Sequence, residues 1–249
     1  MSDLIIFGFV VGVAVLLVGI GKSGFADGAG LIATPLMALV MPMADAAALM
    51  LPILLFIDVF NLRHYRNDYD RKNLNLLVPA GIVGIAIGAL FFNAFQGNER
   101  VLKVGLGVLA LVFLAYQLGR TRLLGLAEQY TAPPPFGFAM GILGGFTSTL
   151  AHAGLPPILI YLLPQKLEPR RYVGTVAYLF FVINVVKLIP YTALGLLRVG
   201  NIPLTLVLLP VTYLGIRLGY WLQARIPKAL FAQIIYVLLF FTGVRLLFS

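Results

Sequence analysis

Eight long apolar runs divide this chain, at residues 4–20, 46–61, 75–95, 101–118, 133–146, 172–190, 202–222 and 229–248. Each is close to the roughly 20 residues that a helix needs to cross the hydrocarbon of a bilayer. Shorter apolar pieces lie at 31–41 and 155–163. The runs are continuous rather than alternating, so they predict helices; barrel strands would show a period of two. No polar connection exceeds about fifteen residues, which leaves no place for a soluble domain, a linker or a low-complexity tail. The pattern predicts an all-α integral membrane protein.

The interruptions in this pattern repeat. One Gly-rich break runs from Gly21-Lys22-Ser23-Gly24 to Gly28-Ala29-Gly30, and the chain later reads Pro79, Gly84, Gly88. A second runs from Gly144-Gly145-Phe146-Thr147-Ser148-Thr149 through His152 to Gly154, and is followed by Pro210, Gly215 and Gly219 in the same Pro-x4-Gly-x3-Gly spacing. Two broken-helix units in a very hydrophobic chain form the sequence signature of a secondary transporter, with the breaks marking the binding site. The predicted units are residues 1–125 and 126–249, each a broken or re-entrant helix pair plus three transmembrane helices, giving 8–10 membrane segments. Whether a broken pair crosses fully or turns back, each unit makes an odd number of crossings. The two copies are then oppositely oriented, and the repeat is inverted.

Composition agrees with a lipid environment. A chain that is 61% hydrophobic and 11% charged, with mean hydropathy +0.99, has too little polar surface to cover a water-soluble globule. The first run has no basic residue before it, only Ser2 and Asp3, so it reads as a retained helix rather than a secretory signal. The absence of Cys excludes disulfides and thiolate chemistry, and two His residues, at 64 and 152, make a His-based metal centre improbable. No cofactor or metal is expected.

The net charge of +9 is a topology signal rather than a sign of nucleic-acid binding. With the 62–74 loop placed in the cytoplasm, that side receives Arg63, Arg66, Arg71, Lys72, Arg120, Arg122, Lys166, Arg170, Arg171, Arg225 and Lys228, against Arg100, Lys103 and Arg198 opposite. A split of 11 to 3 follows the positive-inside rule. Both termini are then expected on the non-cytoplasmic side of a cell inner membrane, with the two breaks entering from opposite faces.

The residues also resemble a known family. Gly30-Leu31-Ile32-Ala33-Thr34-Pro35-Leu36, the paired Pro/Gly spans, and above all Leu150-Ala151-His152-Ala153-Gly154-Leu155-Pro156-Pro157 with Tyr161-Leu162-Leu163-Pro164-Gln165 are similar to the sulfite exporter TauE/SafE family, in a branch carrying Ala-His-Ala-Gly-x-Pro-Pro. Leu155 departs from the second Gly of that motif, and Lys22-Ser23-Gly24-Phe25-Ala26-Asp27-Gly28 departs from a nearly pure Gly run. The resemblance implies transport of small anions such as sulfite, sulfoacetate and related organosulfonates.

Non-helical backbone at membrane depth survives only where it is buried in protein or lines a wet cavity. A helix restarting after a break points free N–H groups and about half a positive charge into that cavity, which suits an anion. Gly28, Gly30, Gly145 and Gly154 are therefore the expected main-chain contacts, with Ser23, Thr34, Thr147, Ser148 and Thr149 as hydroxyl donors. Lys22 has two readings: it balances the substrate while Asp27 caps the next half-helix, or it pairs with Asp27 or reaches for a membrane face. His152 either contacts the anion, takes up a proton, or is simply hydrogen bonded in place. Asn184 and Lys187 share a helix face; Lys187 is read as a substrate contact or a residue reaching for the outer face. Arg217 ranks lower, Asp58 and Asn61 are read as ordering the basic loop that follows them, and His64 as solvated. Gly84, Gly88, Gly215 and Gly219 are read as packing positions.

These readings favour a secondary transporter whose partners are a small anion and the lipid bilayer. An anion channel with the same breaks is the nearest alternative. A membrane-embedded enzyme fits less well, because no nucleophile and base, and no paired carboxylates, fall at helical spacing. If the protein imports, His152 or Asp27 would carry a coupling proton.

Overall fold

The computed structural model describes residues 2–25, 31–95, 97–127, 132–197, 202–222 and 224–249. Among these residues the chain is entirely helical and contains no strand: α1 (Ser2–Ile20), α2 (Ala33–Met37), α3 (Met43–His64), α4 (Arg71–Phe95), α5 (Glu99–Ala127), α6 (Pro134–Ala151), α7 (Leu155–Leu162), α8 (Pro169–Ala193), α9 (Ile202–Leu222) and α10 (Lys228–Leu247). A π-helical turn, Gly21–Phe25, extends α1, and a 3₁₀ turn, Leu163–Gln165, extends α7. Several starts are set by proline, whose fixed φ suits a first turn where its missing N–H is not needed: Pro42 precedes α3, Pro134 and Pro169 open α6 and α8, and Pro227 precedes α10.

Seven of these helices are long and apolar enough to cross a membrane. The run at 133–146 is the exception. Its helix, α6, has 18 residues, but two prolines, four glycines and the hydroxyls of Thr147, Ser148 and Thr149 dilute its hydropathy. Two boundaries also differ from the apolar pattern. The backbone of α5 stays helical to Ala127, well past the apolar stretch, because a polar sequence extends a helix readily once the spanning part has nucleated it. Within 31–41 the helix is confined to Ala33–Met37.

The surface is apolar, as a lipid-facing surface requires. Phe9, Leu90, Ile189, Val207 and Phe241 are exposed, while Asp58, Ser148, Thr149, Asn184 and Lys187 are buried. That inversion of the usual soluble arrangement leaves the polar chemistry at the centre.

Helix α4 lies along α6, α1 along α9, α3 against α8, and α5 against α10. Small residues bring the first two pairs into backbone contact. A Cβ on Gly84 would overlap the Ile142 carbonyl, one on Gly145 would overlap the Gly81 carbonyl, and one on Gly215 would lie 2.8 Å from the Leu16 carbonyl. Lipid supplies no hydrophobic drive for helix association, so such close approach is what makes packing favourable. Gly84, Gly88 and Gly215 are thus packing positions, as their spacing suggested.

The loop between α3 and α4 is fastened to the start of α8. Arg170 Nε meets Asp68 Oδ2 at 2.6 Å, Arg171 Nη2 meets Asp70 Oδ2 at 3.2 Å, and the Asp70 N–H donates to Thr175 Oγ1 at 2.8 Å. Asp70 also accepts from the Asn73 N–H at 2.9 Å, capping α4. This fastening fixes the spacing of α3 and α8, the two helices that carry the polar centre.

Candidate functional site

The second break is built by the end of α6. His152 adopts a left-handed φ of 53°, its N–H bonds to the Ser148 carbonyl at 3.0 Å, and the Ala153 N–H bonds to the Thr147 carbonyl at 3.2 Å. That turn closes the helix and sends the chain back into α7. A non-glycine residue rarely holds this conformation unless its surroundings fix it. Both ring nitrogens of His152 are engaged, Nε2 with the Ala47 carbonyl at 2.9 Å and Nδ1 with Lys187 Nζ at 2.8 Å. A carbonyl can only accept, so Nε2 carries a proton and Nδ1 faces the Lys187 amine.

Lys187 is fully buried in α8 and directs its amine at the Ser148 carbonyl, 3.1 Å, the Ser148 hydroxyl, 3.0 Å, and His152. No carboxylate lies within ion-pair distance of it among the described residues. Below it, Asn184 Nδ2 donates to Asp58 Oδ2 at 2.6 Å, and the other carboxylate oxygen meets Lys22 Nζ at 2.5 Å. Asp58 is 1% exposed, whereas Lys22 is 21% exposed and looks onto open space.

That space is a cavity of about 80 Å³, with Lys22, Asp58, Asn61, Tyr65, Ser148, His152 and Asn184 as its polar lining and Leu54, Leu155, Val176 and Phe180 among its apolar walls. It has room for a few waters, or for one small oxyanion. It reaches from His152 and Asn184 to Tyr65 and Val173, at the ends of α3 and α8 that carry the basic loops. Burial raises the Tyr65 phenol above its ordinary value, against the opposing field of Arg170. Tyr65 therefore stays an O–H donor at the mouth.

Of the residues singled out in the sequence, Lys22, Ser148, His152 and Asn184 meet on this cavity, with Lys187 behind them. The partner of Lys22 is Asp58 rather than a membrane face. Lys187 does not reach for the outer face either, since a 0% exposed side chain bonded to Ser148 and His152 faces the protein centre. The Thr147 hydroxyl has the Leu143 carbonyl at 2.8 Å and the Ala153 carbonyl across the break at 3.0 Å as acceptors, and that of Thr149 donates to the Gly145 carbonyl at 2.9 Å, so each proton is taken up by main-chain carbonyls. The Ser148 hydroxyl accepts from Lys187 at 3.0 Å, and the residue lines the cavity. Gly145 packs on α4, and a Cβ on Gly154 would meet the Gly144 carbonyl at 2.5 Å and the Phe180 ring at 2.9 Å. The hydroxyls of Ser23 and Thr34 are buried, away from the cavity lining, with no partner among the described residues. Asp27, Gly28 and Gly30 lie outside the described residues.

The start of α7 offers fewer main-chain donors than a restarting helix normally does. Its second and third residues are Pro156 and Pro157, which have no N–H. Side chains supply the polar contacts instead. Sequence reasoning missed Asp58 because the apolar run ended at 61, which placed it near a rim; α3 in fact continues to His64 and carries Asp58 inside the protein. Its being an ionisable residue in an apolar helix was the available signal.

Tyr191, one turn beyond Lys187 on α8, donates to the Thr149 carbonyl at 2.6 Å from a fully buried position. Tyr191→Phe leaves that carbonyl unpaired and is expected to cost about 1–3 kcal/mol, read as a lower thermal midpoint of the purified protein.

A family model described as Sulfite exporter TauE/SafE matches residues 4–246. Comparisons with curated proteins and with solved structures return no match.

Proposed function

Because the chain belongs to the sulfite exporter TauE/SafE family, whose members are membrane transporters and not enzymes, we propose that it carries a small sulfur-containing anion, sulfite, sulfoacetate or a related organosulfonate, through this central cavity. The observation that carries the reading is Lys187. A fully buried amine with no carboxylate within ion-pair distance among the described residues, hydrogen bonded to Ser148 and His152 on the cavity wall, lacks a counter-charge whenever it is protonated. Charge at membrane depth is costly unless paired, and an anion in the cavity supplies the partner. Lys22, the Ser148 hydroxyl and the Asn184 amide are the groups placed to contact its oxygens.

The architecture we propose is an inverted repeat of residues 1–125 and 126–249. Exchanging α1–α5 for α6–α10 turns the α1/α9 pair into α6/α4 and the α4/α8 pair into α9/α3, while α3/α8 and α5/α10 map onto themselves. Pro79 with Gly84 in α4 and Pro210 with Gly215 in α9 are matched in the same exchange. On this reading, supported by the basic-residue count, both termini lie outside the cytoplasm of an inner membrane, and an arrangement whose cavity reaches toward the basic loops is the cytoplasm-facing half of an alternating-access cycle. Outward movement of one negative charge from a negative interior gains about 2.3 kcal/mol per 100 mV, so export needs no coupled ion. Import needs compensation, and His152 then carries the proton.

The test is a thermal-shift screen of the purified protein with sulfite, sulfate, thiosulfate, taurine and sulfoacetate. A ligand at 100 times its Kd stabilises the folded state by about 2.7 kcal/mol. At least one anion is expected to raise the midpoint in the wild type and to lose that effect in Lys22→Gln. No shift with any anion, in a protein that unfolds cooperatively, sinks the reading. A carrier further shows saturable flux stimulated by anion on the opposite side, where a channel gives continuous single-channel current.

A further inference from the structure

Resting on the anion reading of the cavity, we infer that Asn61 is a specificity-determining residue, which hydrogen bonds a polar substituent set apart from the anionic head of the solute. Asn61 is 6% exposed, it lines the cavity, and its side-chain amide has no hydrogen-bond partner among the described residues. Its main-chain carbonyl accepts from the Tyr65 N–H at 2.9 Å, within the last turn of α3, so the side chain does not order the loop that follows. A buried amide that bonds nothing in the protein is costly, and the group that satisfies it has to enter through the cavity.

The position of Asn61 decides what it can read. Asp58 and Asn61 are three residues apart on one face of α3, an axial rise of about 4.5 Å. At the level of Asp58, its two oxygens hold Lys22 and Asn184, and Ser148 and His152 line the same cavity. Helix α8 runs opposite to α3, since the loop leaving α3 is pinned at the start of α8. Between Asn184 and the mouth, the cavity-lining residues of α8 are therefore Phe180, Ala177, Val176 and Val173. Over this stretch α8 presents hydrocarbon where α3 presents an amide. An anion whose oxygens meet Lys22, Ser148 and Asn184 extends a short carbon chain past Phe180 and Val176, and a substituent on that chain meets Asn61. An amide both donates and accepts, so it suits a hydroxyl, an amine or a carbonyl group. A site built to hydrogen bond such a group rejects the analogue that lacks it, because its own polar group is then left unpaired. The solute class is a short organosulfonate with a polar group on its second carbon, in preference to an inorganic oxyanion or a plain alkanesulfonate.

The experiment uses purified full-length protein and three sulfonates of equal charge, reading apparent Kd from the thermal midpoint. They are 2-hydroxyethanesulfonate, its near-isostere 1-propanesulfonate, and methanesulfonate, which has the head without the chain. Wild type is expected to bind 2-hydroxyethanesulfonate at least about tenfold more tightly than 1-propanesulfonate. Asn61→Leu, close in volume, is expected to bring the two within about threefold or to reverse their order, while methanesulfonate binding changes by less than about threefold. Asn61→Ala serves where leucine disturbs the packing, with the same loss of preference. Tyr65→Phe, nearer the mouth, is expected to keep the preference. Equal binding of the hydroxyl and methyl compounds by wild type, or a preference that survives Asn61→Leu and Asn61→Ala, overturns the assignment while leaving anion binding intact. Loss of the preference in Tyr65→Phe, or a loss of methanesulfonate binding in Asn61→Leu as large as that of 2-hydroxyethanesulfonate, does the same. So does binding of sulfite by a wild type that binds no 2-hydroxyethanesulfonate. Absence of binding by all of these anions takes down both this assignment and the anion reading.

Discussion

Lys187→Met is expected to lower anion transport at least about 100-fold while the protein still folds, insert and purify as wild type does. The amine lies where no water reaches, with its donors on the Ser148 carbonyl, the Ser148 hydroxyl and His152 Nδ1. Truncating one member of a buried, hydrogen-bonded charged group costs about 2–5 kcal/mol of binding, and about 2.7 kcal/mol is a factor of 100 in rate. Stability moves much less, because two opposing effects accompany the change. Ser148 and His152 each lose a partner, at about 1–3 kcal/mol apiece, while the penalty of holding an unpaired ammonium out of water disappears. Methionine is unbranched and adaptable enough to fill the volume. Lys187→Arg is not expected to rescue, since a planar fork does not reproduce a compact ammonium in an enclosed position. Flux into proteoliposomes, normalised to reconstituted protein, with the thermal midpoint measured in parallel, decides the matter. Transport within about threefold of wild type in Lys187→Met would remove the amine from the anion site.

The second large effect concerns the scaffold. Gly84→Val and Gly145→Val are each expected to prevent accumulation of folded protein. Their Cβ atoms would overlap main-chain carbonyls, of Ile142 and Gly81 respectively, so neither a rotamer change nor a side-chain shift relieves the clash; α4 and α6 must separate. Overpacking by a methylene or two in a well-packed core costs about 1–3 kcal/mol, and prying apart two backbones in contact exceeds that range. The same two helices position the second break, since α6 ends at His152 and α4 holds it in place. Gly12→Ala and Gly105→Ala provide the contrast. An added Cβ at either meets nothing within 4 Å, and alanine favours helix by about 1 kcal/mol, so these variants are expected to be neutral or slightly stabilising. Yield after size-exclusion chromatography and the thermal midpoint separate the two classes. Equal behaviour of all four would show that α4 and α6 do not touch through these glycines.

Much of this organisation was legible in the chain, for reasons that differ by residue. Membrane spans announce themselves through length and hydropathy, and the second break through an unusual concentration of glycine, hydroxyls and one imidazole. Spacing carried the packing role of Gly84 and Gly215, because small residues one turn apart bring helices together wherever they occur. The partner of Lys22 was not legible, since Asp58 lies 36 residues further on and only the packing of α3 brings it close. Lys187 was placed near a rim by counting residues along α8, yet what fixes its surroundings is the turn at His152. Thr147 and Thr149 show a further limit: a hydroxyl near a break is available to a ligand only if the helix itself does not use its proton, and a sequence does not disclose that choice. Pro156 and Pro157, in contrast, were in plain view. Their missing N–H groups leave the start of α7 short of main-chain donors, so that side chains, Lys22, Ser148 and Asn184 among them, make the polar lining of the cavity.

The absence of cysteine permits one direct measurement of where the anion sits. Ala177 lines the cavity on α8, and Ala177→Cys introduces a single thiol there with a small change in volume. Modification by a membrane-impermeant maleimide is followed in sealed vesicles of each orientation, with and without a transported anion. The cavity described here predicts labelling from the side bearing the basic loops, slowed at least tenfold by saturating anion and left unslowed by that anion in a background of Lys187→Met. Labelling unaffected by any anion that the protein transports would contradict it.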